Sequence, residues 1–151
     1  VVRIIGVGNP LMGDDGAGIA LVERLGRRDL PPGVEVVDGG TGGVTLLGLM
    51  EGAAGVVLVD AADMGRPVGA VVRLAGEDAA LPARSPPLSL HQAGVAGALA
   101  LGRELGILPR LVLFLVQGGR VAPGQGLSPA VEAALEALSD RVTAEARLLL
   151  G

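Results

Sequence analysis

The run Val56-Val57-Leu58-Val59 is apolar at every position rather than at alternate ones, and it ends abruptly on Asp60. A strand with one wet face alternates. A strand that does not is buried on both faces, which points to a parallel sheet covered by helices on either side. Val1 to Val7 has the same nearly continuous β-branched character, and Leu111 to Val116 is a further buried run. Val34 to Val37 and Val68 to Leu74 read as two more strands. Between them lie segments with helical spacing. Ile19, Val22 and Leu25 follow Asp14 and Asp15 and stop near Gly26, and Val44, Leu47 and Met50 form a short helix that ends at Gly52. Val95, Leu99 and Leu105 follow His91. Val131, Leu135, Leu138, Val142 and Leu149 share one face of a last helix, with Ser128 as its N-cap and Pro129 at the first helical position. This alternation predicts an α/β fold, a three-layer sandwich in which a mainly parallel twisted sheet carries helices on both faces. No repeat or composition break interrupts it, so residues 1–151 are expected to form one domain.

Composition narrows the chemistry. Half of the 151 residues are hydrophobic but only Phe114 is aromatic, so the core must be aliphatic. The 26 Gly and 10 Pro are spread between periodic segments, as in a fold with many tight turns rather than a disordered chain. A net charge of −4, with neither basic clusters nor aromatic stacking platforms, argues against a nucleic-acid partner. All 12 basic residues are Arg, which excludes any mechanism that needs a lysine. The absence of cysteine excludes disulfides, thiolate metal sites and a Cys nucleophile. Val1-Val2-Arg3-Ile4-Ile5 runs straight into a strand without the features of a signal peptide, and no apolar stretch reaches the roughly 18 residues of a membrane span. A cytoplasmic monomer with no membrane attachment is the expectation.

In open α/β sheets ligands sit at the carboxyl ends of the strands, and the polar residues of this chain gather there. Asp14 and Asp15 follow the first strand, Asp38 ends the second and Asp60 the third. His91, the single histidine, opens a helix after a segment from Gly76 to Leu90 that carries Pro82, Pro86 and Pro87. A loop of that length inside a small domain is often functional. Each residue also has a plain structural reading. Either aspartate of the pair is able to cap the first helix while the other points into the cleft. Asp60, at the edge of a buried strand, needs a partner whatever its role. Ser89 as a helix cap would place His91 at the positive end of its helix, which favours a neutral, metal-binding imidazole. Two carboxylates and one imidazole suit a borderline divalent metal such as nickel or zinc. Asp38-Gly39-Gly40-Thr41-Gly42-Gly43 reads either as a tight strand-to-helix turn or as bare backbone that an extended peptide can approach.

Three functional readings compete. Gly6-Val7-Gly8 begins a dinucleotide fingerprint, but the third glycine it needs is Leu11, and two aspartates at the helix start would repel a pyrophosphate. A phospho-receiver signalling domain shares the acidic pair and an aspartate like Asp60 as acceptor. It also relies on a lysine, which is absent, and the loop from Gly8 to Gly13 is too long for it.

The third reading is a resemblance. Gly6-Val7-Gly8-Asn9-Pro10-Leu11-Met12-Gly13-Asp14-Asp15-Gly16-Ala17-Gly18 closely resembles the N-terminal signature of the hydrogenase maturation proteases. The likeness continues in order through Asp38-Gly39-Gly40-Thr41, Val57-Leu58-Val59-Asp60, His91-Gln92 and Leu127-Ser128-Pro129. Two positions depart from the family pattern. Asp15 stands where Glu is frequent, and Gln117 is followed by Gly118 rather than Pro. The resemblance implies an endopeptidase that trims the C-terminal extension of a nickel–iron hydrogenase large-subunit precursor. It further implies that Asp15, Asp60 and His91 contact the metal, with Asp15 or Asp60 in the catalytic part. Asp38, Gly39, Gly40, Thr41 and Gly42 would hold the peptide. The nickel would arrive in the precursor, so no tightly bound resident cofactor is expected.

Overall fold

The structure, a computed structural model, describes residues 1–75, 90–124 and 126–151, with side chains throughout except at positions 90–93. Five strands, β1 (Val2–Gly6), β2 (Val34–Asp38), β3 (Gly55–Ala62), β4 (Val71–Ala75) and β5 (Arg110–Gln117), form one sheet in the order β2-β1-β3-β5-β4. β1 runs parallel to β2 and β3, and β3 parallel to β5; β4 closes one edge antiparallel to β5. The helices are α1 (Ala17–Leu25), which follows a 3₁₀ turn at Gly13–Gly16, α2 (Thr45–Met50), α3 (Leu90–Leu105) and α4 (Pro129–Leu150). The expected mainly parallel α/β sandwich is therefore present.

The pleat of the strands divides the core in two, because successive side chains point to opposite faces. Val57 and Val59 of β3 pack with Val112, Phe114 and Val116 of β5 against α1 and α4. Val56 and Leu58 pack with Leu111, Leu113 and Leu115 against α2 and α3, where Leu46, Val95, Ala98 and Leu99 meet them. The α1–α4 layer is tied on its outer side by Arg24 to Glu132 and Glu136, and by Arg28 to Glu136 and Asp140. Such exposed pairs add little stability.

Two details depart from the sequence reading. The strand read from Val68 begins at Val71. Val44, read on one face with Leu47 and Met50, stands just before α2 and is 69% exposed; α2 buries Met50 together with Leu46. Leu105 is 59% exposed, whereas Val95, Ala98 and Leu99 are buried. Six residues of helix rotate by a net offset of about 120°, so Leu105 cannot share the face of Leu99. Gly102 holds that face, where an added Cβ would strike the Leu108 and Leu47 side chains. The segment read as a long proline-bearing loop, 76–89, lies outside the described residues, as does the proposed cap Ser89.

What fixes α1 over the sheet is one close approach. A Cβ on Gly18 would lie 2.5 Å from the Val59 carbonyl oxygen and closer still to that of Val7. Those two strands are joined just there, Val7 N–H donating to Val59 O at 2.9 Å. The helix start thus rests directly on the backbone of β3, one residue before Asp60. Gly18→Ala is expected to cost about 3 kcal/mol of folding stability, since backbone cannot yield as a side chain does. Urea unfolding of the variant checks this; a loss below about 1 kcal/mol would show that the helix shifts freely.

Candidate functional site

Asp14 and Asp15 sit side by side in the 3₁₀ turn and both are buried, at 0% and 7% exposure. Asp14 does not cap α1. Its Oδ2 accepts from Gly119 N–H at 2.8 Å, Arg120 N–H at 2.9 Å and the Ser128 hydroxyl at 2.8 Å, while Oδ1 accepts from Ser128 N–H at 2.6 Å. Its own N–H donates to Arg120 O at 2.6 Å. Burial pushes this carboxyl upward, but the bonds from Arg120, Ser128 and Gly119 outweigh it and hold the group below the ordinary carboxylate range. Ser128 is the N-cap residue of α4, as expected, but its hydroxyl serves Asp14 rather than the helix. Asp14 is thereby a clasp between the loop after β1 and the loop after β5.

Asp60 is 1% exposed near the end of β3, with its Oδ1 accepting from Ala61 N–H at 2.8 Å. By strand alternation it lies on the face of Val56 and Leu58, which is the face covered by α2 and α3. The 3₁₀ turn that carries Asp15 packs on β3. His91 is the second residue of α3, and its side chain lies outside the described residues. The start of that helix is nonetheless located. A Cβ on Gly94 would lie 2.8 Å from Gly43 N, so the first turns of α3 touch the backbone that follows β2. Asp15, Asp60 and the backbone of His91 are thus all at the carboxyl edge, with Asp60 and α3 on one face. Among the described residues no three of the metal-binding side chains His, Cys, Asp and Glu cluster together.

The glycine loop lies between these parts. Gly39 N–H donates to Gly6 O at 2.7 Å and Gly8 N–H to Gly40 O at 2.9 Å, stitching the loop after β2 to the loop after β1. Asp38, Gly40 and Thr41 are exposed, Gly42 is half-buried and Gly39 is buried. The Asp38 Oδ1 accepts from Gly40 N–H at 2.7 Å, a local turn that holds the carboxylate at the loop's rim. Gly40, Gly42 and Gly43 take positive φ, so the segment forms the strand-to-helix turn, with exposed main chain at Gly40 and Thr41. Gln117, to which the sequence reading gave no role, is buried at the end of β5 and bonds to the segment after β3. The signal for it in the sequence was slight, a polar residue closing an aliphatic run.

Comparison with known proteins bears on the family and the fold. The family described as HycI, hydrogenase maturation protease, matches residues 19–145, an interval that includes Asp38, Asp60 and His91 and begins just after Gly18. The hydrogenase expression/formation protein HupD of Thiocapsa roseopersicina is 35% identical over 149 residues, covering 91% of this chain and 67% of that protein. The hydrogenase 2 maturation protease of Escherichia coli K12 is 33% identical over 148 residues, covering 97% and 90% respectively. Among solved structures, the hydrogenase maturating endopeptidase HybD from E. coli superimposes with a TM-score of 0.87 at 35% identity, covering 97% of this chain and 91% of that one. HybD from Thermococcus kodakarensis does so with a TM-score of 0.78 at 26% identity, covering 96% and 98%. No helix among the described residues is long and apolar enough to cross a membrane.

The Asp14 clasp predicts its own acid sensitivity. A carboxyl held below its unfolded value contributes stability that is complete above that value, and loses it as pH falls through the folded one. Asp14→Asn turns one accepting oxygen into a donor and leaves a buried N–H unpaired, at a cost of about 2–3 kcal/mol near neutral pH. The loss of stability that the parent shows on acidification below about pH 4 should be shallower in the variant. Urea unfolding across that range measures both effects; equal acid slopes would remove Asp14 as their source.

Proposed function

Because the chain belongs to the hydrogenase maturation protease family, and is thus a peptidase, we propose that it removes the C-terminal extension from a nickel–iron hydrogenase large-subunit precursor. The observation that carries this reading is the placement of Asp60. It is buried near the carboxyl end of the central strand, on the face shared with α3, whose second residue is His91. Asp15 stands in the turn packed against that strand. A carboxylate, a second carboxylate and an imidazole are the donor set for a borderline divalent ion, and the nickel is part of the substrate, already installed in the precursor. Asp15, Asp60 and His91 would hold it there, so that only a metal-loaded precursor is gripped with its scissile bond in place. A carboxylate of Asp15 or Asp60 would accept the proton of the attacking water. The exposed turn of Gly39, Gly40, Thr41 and Gly42, with Asp38 beside it, would hold the extension. The enzyme would act as a cytoplasmic monomer and keep no resident cofactor of its own.

The test uses purified large-subunit precursor with and without nickel, read by mass spectrometry. Loss of a short C-terminal peptide from the loaded form alone is the expected result. Equal cleavage of both forms would refute nickel recognition, and cleavage of neither would refute the substrate. His91→Ala and Asp60→Asn should each lower the cleavage rate by at least about 10²-fold while thermal unfolding remains cooperative. Retained activity in either variant would take that residue out of the site.

A further inference from the structure

Gln117 joins both ends of the connection that follows Asp60. Its main-chain N–H donates to Ala70 O at 2.8 Å, and its carbonyl accepts from Gly69 N–H at 2.9 Å, which holds the far end of the segment. Its side chain holds the near end. Oε1 accepts from Met64 N–H at 2.6 Å and Arg66 N–H at 3.3 Å, while Nε2 donates to Asp63 Oδ1 at 3.1 Å and to Gly118 O at 2.8 Å. The amide orientation is fixed by this set, because a flip would set NH₂ against two N–H donors and the oxygen against two oxygens. Glutamine is the residue that fits. A glutamate would keep the two accepted bonds and lose both donated ones, with like charge facing Asp63.

The register carries the consequence to the site. Asp60 pairs with Leu115, Ala61 with Val116 and Ala62 with Gln117, after which β3 leaves the sheet. Gly118 N–H also donates to Ala62 O at 3.2 Å. Where the chain departs after Ala62 therefore depends on what grips residues 63–66, and Gln117, 4% exposed, is in direct bond to three of those four residues. We propose that Gln117 is a positioning residue for the peptidase reaction, which fixes the carboxylate of Asp60 by anchoring the segment 63–66 beyond it. This rests on the reading of Asp60 as a reacting or metal-holding group.

Three variants test it: Gln117→Met, which keeps length and removes all four side-chain bonds, Gln117→Glu, and the double variant Gln117→Glu with Asp63→Asn. On nickel-loaded precursor, Gln117→Met should lower kcat by about tenfold or more while KM stays within about twofold, as misplacement of a reacting group does. Amide exchange at Met64 and Arg66 should quicken by about tenfold in the same variant. Gln117→Glu should also lower kcat. The double variant, in which the side-chain amide introduced at position 63 donates to the new carboxylate, should recover most of the loss. That recovery separates positioning from mere destabilisation, and it decides the matter should Gln117→Met fail to fold. A kcat within twofold of the parent in Gln117→Met, or a double variant no better than Gln117→Glu, overturns the proposal. If the parent itself cuts no precursor, the substrate reading fails, and the anchoring is read instead on the Ala61 amide, which bonds to Asp60 Oδ1. A shifted Ala61 resonance in the folded Gln117 variants then supports the proposal, and an unshifted one overturns it.

Discussion

Asp14 is a fully buried carboxylate whose hydrogen bonds come from 105 to 114 residues later in the chain, at Gly119, Arg120 and Ser128. A charge in that position is tolerable only while every donor is in place, because taking an ion out of water without partners costs several kcal/mol. The requirement works in both directions. The loop after β1 cannot settle until the loop after β5 and the start of α4 have arrived, and they in turn have their N–H groups satisfied by it. The carboxyl edge of the sheet therefore closes as one unit, with the 3₁₀ turn that carries Asp15 held against β3.

Asp14 is committed to the clasp, and Asp15 occupies the next position of the same buried turn, which packs on β3. Backbone contact completes the arrangement. Gly18 lets α1 descend onto the carbonyls of Val7 and Val59, and Gly94 lets α3 meet the loop at Gly43. Larger residues at either place would lift a helix from the edge and separate Asp60 from the elements around it. The glycines of the N-terminal motif are thus packing residues first, and the peptidase chemistry proposed above depends on the distances they permit.

Pleat parity explains which groups meet. Asp60 shares its face with Val56 and Leu58, and Gln117 shares the same face with Leu111, Leu113 and Leu115. Both polar residues end aliphatic runs and both emerge under α2 and α3, the layer to which His91 belongs. The network around Gln117 then turns a plain strand end into a defined exit for the chain after Ala62. Asp63, beside it, is held below the ordinary carboxylate range by the Gly65 N–H and the Gln117 amide. The membership of the chain in a peptidase family fits such an edge, rigid in its backbone and rich in carboxylates.

Much of this was legible in the residues alone. Continuous aliphatic runs such as Val56 to Val59 determine strands buried on both faces, and their alternation with helical spacing determines the layered α/β fold, because burial on two sides requires a helix layer over each. Asp38 and Asp60 at strand ends marked the edge where a site forms, and the N-terminal motif pointed to the family. Other features had no local cause to read. Val44 was read on one face with Leu47 and Met50, yet it stands just before α2 and lies in solvent. The separate fates of Asp14 and Asp15 were equally hidden, since the two are the same residue type one position apart. Only the arrival of Gly119, Arg120 and Ser128 from the far end of the chain decides which of them is clasped, and Gln117 gains its role only because β5 lies beside β3. Periodicity is a property of neighbours in sequence, whereas a buried hydrogen bond is settled by whichever distant segment the fold brings within reach.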